Sequence, residues 1–168
     1  YFKLQSFIYM PANGLIQGMR PLISYNYGAR HFDRVKKIIK VSIISTAVIL
    51  CCGTIIFMGL PELVLSWFNA TEQLLEIGII GLRVISPCFI LSTMGVVISG
   101  VFESLGKGRQ SLTISLLRQF IITLPLAYIL LKVIGLNGIW LSFVIAEGIA
   151  SVIAVILIKK ELHNFKVD

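Results

Sequence analysis

The sequence predicts an all-α fold, a polytopic membrane helix bundle of about five transmembrane helices. Three observations carry that reading. Of the 168 residues, 57% are apolar or aromatic, against roughly 45–50% in soluble domains. Only 14% are charged, where roughly 25% is usual, and a soluble domain of this size could not bury so much apolar surface. The apolar residues also fall in runs that approach the ~20 residues needed to cross ~30 Å of hydrocarbon. With 14 Gly, 5 Pro and 3 Cys, a disordered chain, a collagen-like rod and a disulfide scaffold are excluded.

In chain order the expected spans cover residues 5–27, 38–60, 74–101, 112–134 and 138–158, and no low-complexity linker divides residues 1–168. The first is apolar but studded with Pro11, Asn13, Gln17, Arg20 and Pro21, as befits a helix with one polar side. The second is uncharged from Val41 to Leu60 and stops at Pro61. The third and fourth contain Pro87 and Pro125. Each proline deletes a backbone hydrogen bond and crowds the preceding turn, so each predicts a bend. The fifth is interrupted only by Glu147 and is closed by Lys159 and Lys160.

The charges alternate along this frame. The connection after the first span holds Arg30, Arg34, Lys36 and Lys37, with Lys40 just beyond. The next holds Glu62, Glu72 and Glu76 and no Lys or Arg. The third carries Lys107 and Arg109, the fourth (residues 135–137) is uncharged, and the tail has Lys159, Lys160 and Lys166. Basic connections at every second turn are what the positive-inside rule requires, and they place the C-terminus in the cytoplasm. The net charge of +7 therefore needs no nucleic-acid partner. Tyr1 opens almost directly inside an apolar segment without an initiator Met, and five spans put the two ends on opposite sides. The simplest expectation is the C-terminal piece of a longer protein.

Local patterns add detail. Gly28 stands where a left-handed helix terminus is expected, and Asp33 where a cap for the next helix is expected. Gly14 and Gly18 form a small-xxx-small pair that lets another helix approach. Glu147 lies near the midplane of its span, where a charge costs at least ~2.5 kcal/mol. It reads either as a proton or cation relay or substrate contact, or as a structural acid joining two helices. Arg118 lies close enough to the basic end of its span to snorkel, with Glu103 as a possible partner; Glu103 could equally serve Lys107 one turn later. Asn13 and Gln17, four apart, share one face.

Other patterns fail. Residues 100–108 (GVFESLGKG) resemble a phosphate loop, but five residues precede the Gly-Lys and no Ser or Thr follows the lysine. Cys51, Cys52 and Cys88 lack metal-ligand spacing, so no metal site is expected. No nucleophile–base pair assembles at one depth, so an enzyme is not expected.

The most specific run is Gly14-x-x-Gln17-Gly18-x-x-Pro21-x-x-x-Tyr25-Asn26-Tyr27-Gly28-Ala29, followed by the basic loop. It resembles a helix end and loop in the C-terminal lobe of MATE (multidrug and toxic compound extrusion) transporters. Residues 102–108, Leu117-Arg118-Gln119 and Gly138-Ile139-Trp140 resemble later parts of the same lobe, and the likeness covers nearly the whole chain. It implies the last five of twelve helices. It also implies a substrate cavity facing a missing N-terminal lobe, the partner needed to complete the transporter. The expected function is secondary active antiport of small amphipathic or cationic compounds, driven by influx of H⁺ or Na⁺, in the plasma (inner) membrane. No cofactor is implied beyond that ion. In the sodium-coupled branch an acid lies within the helix that matches the third span; residues 86–100 contain none. Glu147, Asn13, Gln17 and Arg118 are the expected pathway residues, and Gly14, Gly18, Pro21, Gly28, Pro87 and Pro125 the structural ones. The alternatives are a flippase of lipid-linked oligosaccharides in the same superfold, which needs cations for pyrophosphate (Arg20 and Arg118 being the only ones available), and a non-transporting membrane scaffold.

Overall fold

The structure, a computed structural model, describes residues 2–66 and 72–165. The described residues form α1 (Phe2–Gly28), α2 (Phe32–Gly59), α3 (Pro61–Ser66), α4 (Glu72–Ser104), α5 (Gly108–Leu116), a π-helical turn (Leu117–Ile121), α6 (Thr123–Ile134) and α7 (Leu136–Asn164), with no strand among them. Among the described residues, four stretches are long and apolar enough to cross a membrane: Phe32–Gly59, Gly78–Ser104, Gly108–Ile134 and Asn137–His163. Helix α1 matches them in length at 27 residues, about 40 Å, but its amide and arginine side chains dilute its apolar character. Pro61 both stops α2 and opens α3, at the one helical position where a missing N–H costs nothing.

The surface is apolar and the interior carries the polar groups. Val48 and Ile55 of α2, Leu124 and Val133 of α6, and Val152 and Ile156 of α7 are exposed, while Thr46, Thr54, Ser86, Ser92, Ser142 and Glu147 are buried. Hydrocarbon as solvent accounts for the pattern, since polar side chains there must find partners within the protein, on their own helix, as Ser86 does at the Leu82 carbonyl, or on another. Thr54 donates to the Ser86 carbonyl at 3.0 Å, tying α2 to α4 one residue before Pro87. Ser99 and Ser111 share a 2.7 Å hydrogen bond between α4 and α5. Ser151 of α7 donates to the Leu91 carbonyl of α4.

The three basic connections meet at one end of the bundle. Phe165, after α7, stacks on Phe32 at 5.0 Å and lies 5.6 Å from the Tyr27 ring. Lys107, in the α4–α5 turn, pairs with Glu161 of α7, and Ser24 of α1 donates to the Ser104 carbonyl. At the opposite end Leu65 of α3 lies against Gly78, and Trp140 against Gly81.

Two turns close in the same way. Lys107 N–H donates to the Phe102 carbonyl at 2.8 Å and Gly106 N–H to Glu103 at 3.1 Å, with Gly106 at φ 71°. That is a Schellman terminus with glycine at its left-handed position, and it is what the phosphate-loop-like sequence builds. After α1, His31 N–H donates to Asn26 at 2.8 Å and Arg30 N–H to Tyr27 at 3.0 Å. This is the same motif, but Arg30, not Gly28, is left-handed at φ 57°. Gly28 instead falls inside the last helical turn. A left-handed residue with a Cβ costs about 1–2 kcal/mol. Asp33 does not cap α2 either: the N-cap is His31, without a side-chain bond, and Asp33 meets only Lys36, at 3.9 Å.

The close helix approaches fall elsewhere than at Gly14 and Gly18, neither of which has a neighbour within 4 Å of where a Cβ would stand. Gly53 of α2 accepts Ile8 of α1, and Gly100 of α4 accepts Ile16 and Met19. Two apolar clusters result. One, at the basic end, holds Ile16, Ile23, Val97, Phe102, Ile114 and Ala154. The other, toward the acidic connection, holds Ala12, Leu50, Phe57, Leu82 and Phe89.

Candidate functional site

Along α4 the two apolar clusters are separated by Ser92, Thr93 and Gly95, and the ionic groups of the interior gather at that level. Pro125 sets the local geometry. It cannot donate to the Ile121 carbonyl, and its ring crowds that turn. Immediately upstream the helix widens, with Ile122 N–H bonding to the Leu117 carbonyl at 3.1 Å. The hydroxyl of Thr123 donates to the Arg118 carbonyl, which satisfies a group the widened turn leaves loose. Such π turns recur at functional sites.

From this turn the Arg118 side chain crosses Gly95 of α4: a Cβ there would lie 3.8 Å from both Cδ and Nη1 of Arg118. It then reaches α7, where Nε stands 3.3 Å from Glu147 Oε1. The side chains are 20% and 12% exposed, so the pair is largely desolvated. The contact is ionic rather than directional, since among the described residues Arg118 Nε and Glu147 Oε2 have no hydrogen-bond partner.

Tyr9 of α1 completes the group. Its hydroxyl hydrogen-bonds that of Ser92, and its ring stands edge-on to Phe89 at 5.7 Å. Tyr9 and Arg118 also line a cavity of about 290 Å³ with Asn13, Gln5, Met10 and Val96. Met10 and Asn13 are exposed, so the cavity opens onto the outward face of α1. An acid–base pair at the back of a small amphipathic cavity can exchange a proton or cation, or offer a charged group to a ligand.

The four expected pathway residues are therefore only partly together. Asn13 and Arg118 share the cavity, and Glu147 joins through Arg118. Gln17 is exposed on the same side of α1 but is not among the cavity-lining residues. Arg118 does not snorkel to the basic end, and Glu103 is not its partner. Glu103 pairs instead with Arg20 of α1 and accepts a hydrogen bond from Ser111, and Lys107 is held by Glu161. Pro21 is exposed near the end of α1. Tyr9, Ser92 and Gly95 were not foreseen. Tyr9 stands one helical turn before Asn13, a spacing that could have found it; Ser92 and Gly95 give no signal within an apolar run.

A family profile described as MatE matches residues 1–129. The multidrug export protein MepA of Staphylococcus haemolyticus (strain JCSC1435) is 29% identical over 168 residues, covering 99% of this chain and 36% of that protein. Among solved structures, the outward-facing conformation of a multidrug resistance MATE family transporter of the MOP superfamily superposes with a TM-score of 0.94 at 19% identity, over 99% of this chain and 38% of its own. The MATE multidrug transporter DinF-BH, solved in complex with a small-molecule ligand, gives a TM-score of 0.88 at 29% identity, over 98% of this chain and 37% of its own. The chain thus spans little more than a third of the length of the proteins it matches.

Proposed function

This chain belongs to the MatE family, and on that premise we propose that it works as part of a secondary active antiporter that exports small amphipathic or cationic compounds. It is a multi-pass membrane protein, of a family of transporters rather than enzymes. In the proposed arrangement the second lobe of the transporter closes over the exposed face of α1, where Asn13 and Gln17 face the pathway. The basic end and the C-terminus lie in the cytoplasm, across the plasma (inner) membrane.

The observation that carries the reading is the Arg118–Glu147 pair behind the Tyr9–Asn13 cavity. A desolvated ion pair is poor stability engineering, because well-packed apolar residues hold helices together as well or better. Its placement where the helix is widened by a π turn fits a group that changes partner or protonation during the cycle. In the proposed cycle, H⁺ or Na⁺ arriving at Glu147 frees the Arg118 guanidinium, and the changed charge alters the cavity's hold on its cargo. The flippase reading is weaker: Arg20 and Arg118, the cations it would need for pyrophosphate, are each matched to a glutamate.

Cells stripped of their own exporters, expressing this chain joined to the second lobe it is proposed to work with and challenged with a toxic cationic dye, test this. Protection is expected, along with its reduction by Glu147→Gln at equal expression. No protection by the wild type would end the export reading; undiminished protection by the variant would remove Glu147 from it.

A further inference from the structure

At the basic end, the turn between α1 and α2 borders an open cleft of about 580 Å³, lined by Arg30, His31, Arg34, Lys36, Asp33 and Phe165. Its charge is unbalanced. Asp33 is fully solvent-facing and touches only Lys36, at 3.9 Å, and among the described residues Arg30 and Arg34 have no acidic partner. The N-terminus of α2, a helix of 28 residues, opens beside it and adds positive potential. Arg30 occupies the left-handed position of its turn, where glycine would sit without strain. Strain held at one residue points to a role for its side chain.

Next to this pocket lies a second cavity of about 520 Å³ between α1 and α2, with Leu15, Gly18, Leu22, Lys37 and Val41 in its walls. Lys36 of the pocket and Lys37 of the groove are consecutive, so the polar and apolar cavities reach the same level of α2 from faces about 100° apart. Gly18, which has no neighbour within 4 Å of a would-be Cβ, widens the channel. We propose that the pair of cavities binds an anionic phospholipid of the cytoplasmic leaflet, its phosphate among Arg30, Arg34 and Lys36 and an acyl chain along the groove past Gly18. Basic pockets at the cytoplasmic ends of helices suit such headgroups. The apolar channel is what distinguishes a lipid from a free phosphate.

Purified protein in neutral detergent is titrated with phosphatidylglycerol, phosphatidylcholine or inorganic phosphate, and bound lipid is counted by native mass spectrometry. Phosphatidylglycerol is expected to bind at least tenfold more tightly than phosphatidylcholine and to resist displacement by inorganic phosphate. Each basic residue near an anionic surface is worth about fivefold, so Arg34→Gln with Lys36→Gln should weaken phosphatidylglycerol more than tenfold and leave phosphatidylcholine unchanged. Arg30→Gly, which suits the turn and so preserves the fold, should weaken it severalfold. Gly18→Leu, filling the channel, should do the same with every charge intact. Equal binding of the two lipids, displacement of phosphatidylglycerol by inorganic phosphate, or variants that bind it like the wild type would each overturn the assignment.

Discussion

Arg118 Nε stands 3.3 Å from Glu147 Oε1, joining the widened turn before Pro125 to the middle of α7 across the bare backbone of Gly95. The pair answers both charges at once, and neither residue has a second ionic partner among those described.

Removing one member should be costly. Arg118→Met or Glu147→Leu alone leaves a desolvated charge and is expected to lower stability by about 3 kcal/mol. The double variant, apolar on both sides, should recover most of that loss while abolishing export. Thermal unfolding in detergent, read together with dye efflux, checks both halves. A double variant whose loss equals the sum of the two single losses would show that the two side chains do not interact.

The α6–α7 hairpin offers a test of packing. A Cβ on Gly138 would collide with the Leu130 carbonyl oxygen, a backbone atom that cannot rotate away. Gly138→Ala is expected to cost at least the roughly 1–3 kcal/mol of an overpacked core. Gly14→Ala, at a position with open space around it, should change stability by less than about 0.5 kcal/mol. Unfolding midpoints of the two variants, measured side by side, decide the matter.

Threading through the bilayer can be read by chemistry. With Cys51, Cys52 and Cys88 replaced, a cysteine at Glu62 should react with an impermeant thiol reagent added to intact cells. One at Arg34 should react only after permeabilisation. The reverse pattern would turn the bundle upside down.

The membrane-spanning helices and the gathering of basic connections at one end were legible in the sequence because both follow from solvation: apolar runs dissolve in hydrocarbon, and Lys and Arg stay at one face. Ring contacts such as Phe165 on Phe32 show the expected alternation as a convergence in space. Partners were less legible. Arg118 was placed by an even helical count, and the π turn at Leu117–Ile121 breaks that count, so its match with Glu147 across Gly95 could not be read from spacing. Glu103 was close to Arg118 in sequence yet was taken by Arg20 from a distant helix. The left-handed terminus was expected at Gly28; the glycine that does take that conformation at a helix end is Gly106, where none was expected. After α1, however, the helix runs on past Gly28, and the strained position falls to Arg30.

The most direct test of the proposed mechanism separates coupling from binding. Proteoliposomes carrying the two-lobed transporter, with this chain as wild type or Glu147→Gln, are loaded with dye, and gradient-driven accumulation is compared with gradient-free exchange. The variant is expected to retain exchange and lose accumulation by at least tenfold. Accumulation by Glu147→Gln at the wild-type level would contradict a coupling role for the Arg118–Glu147 pair.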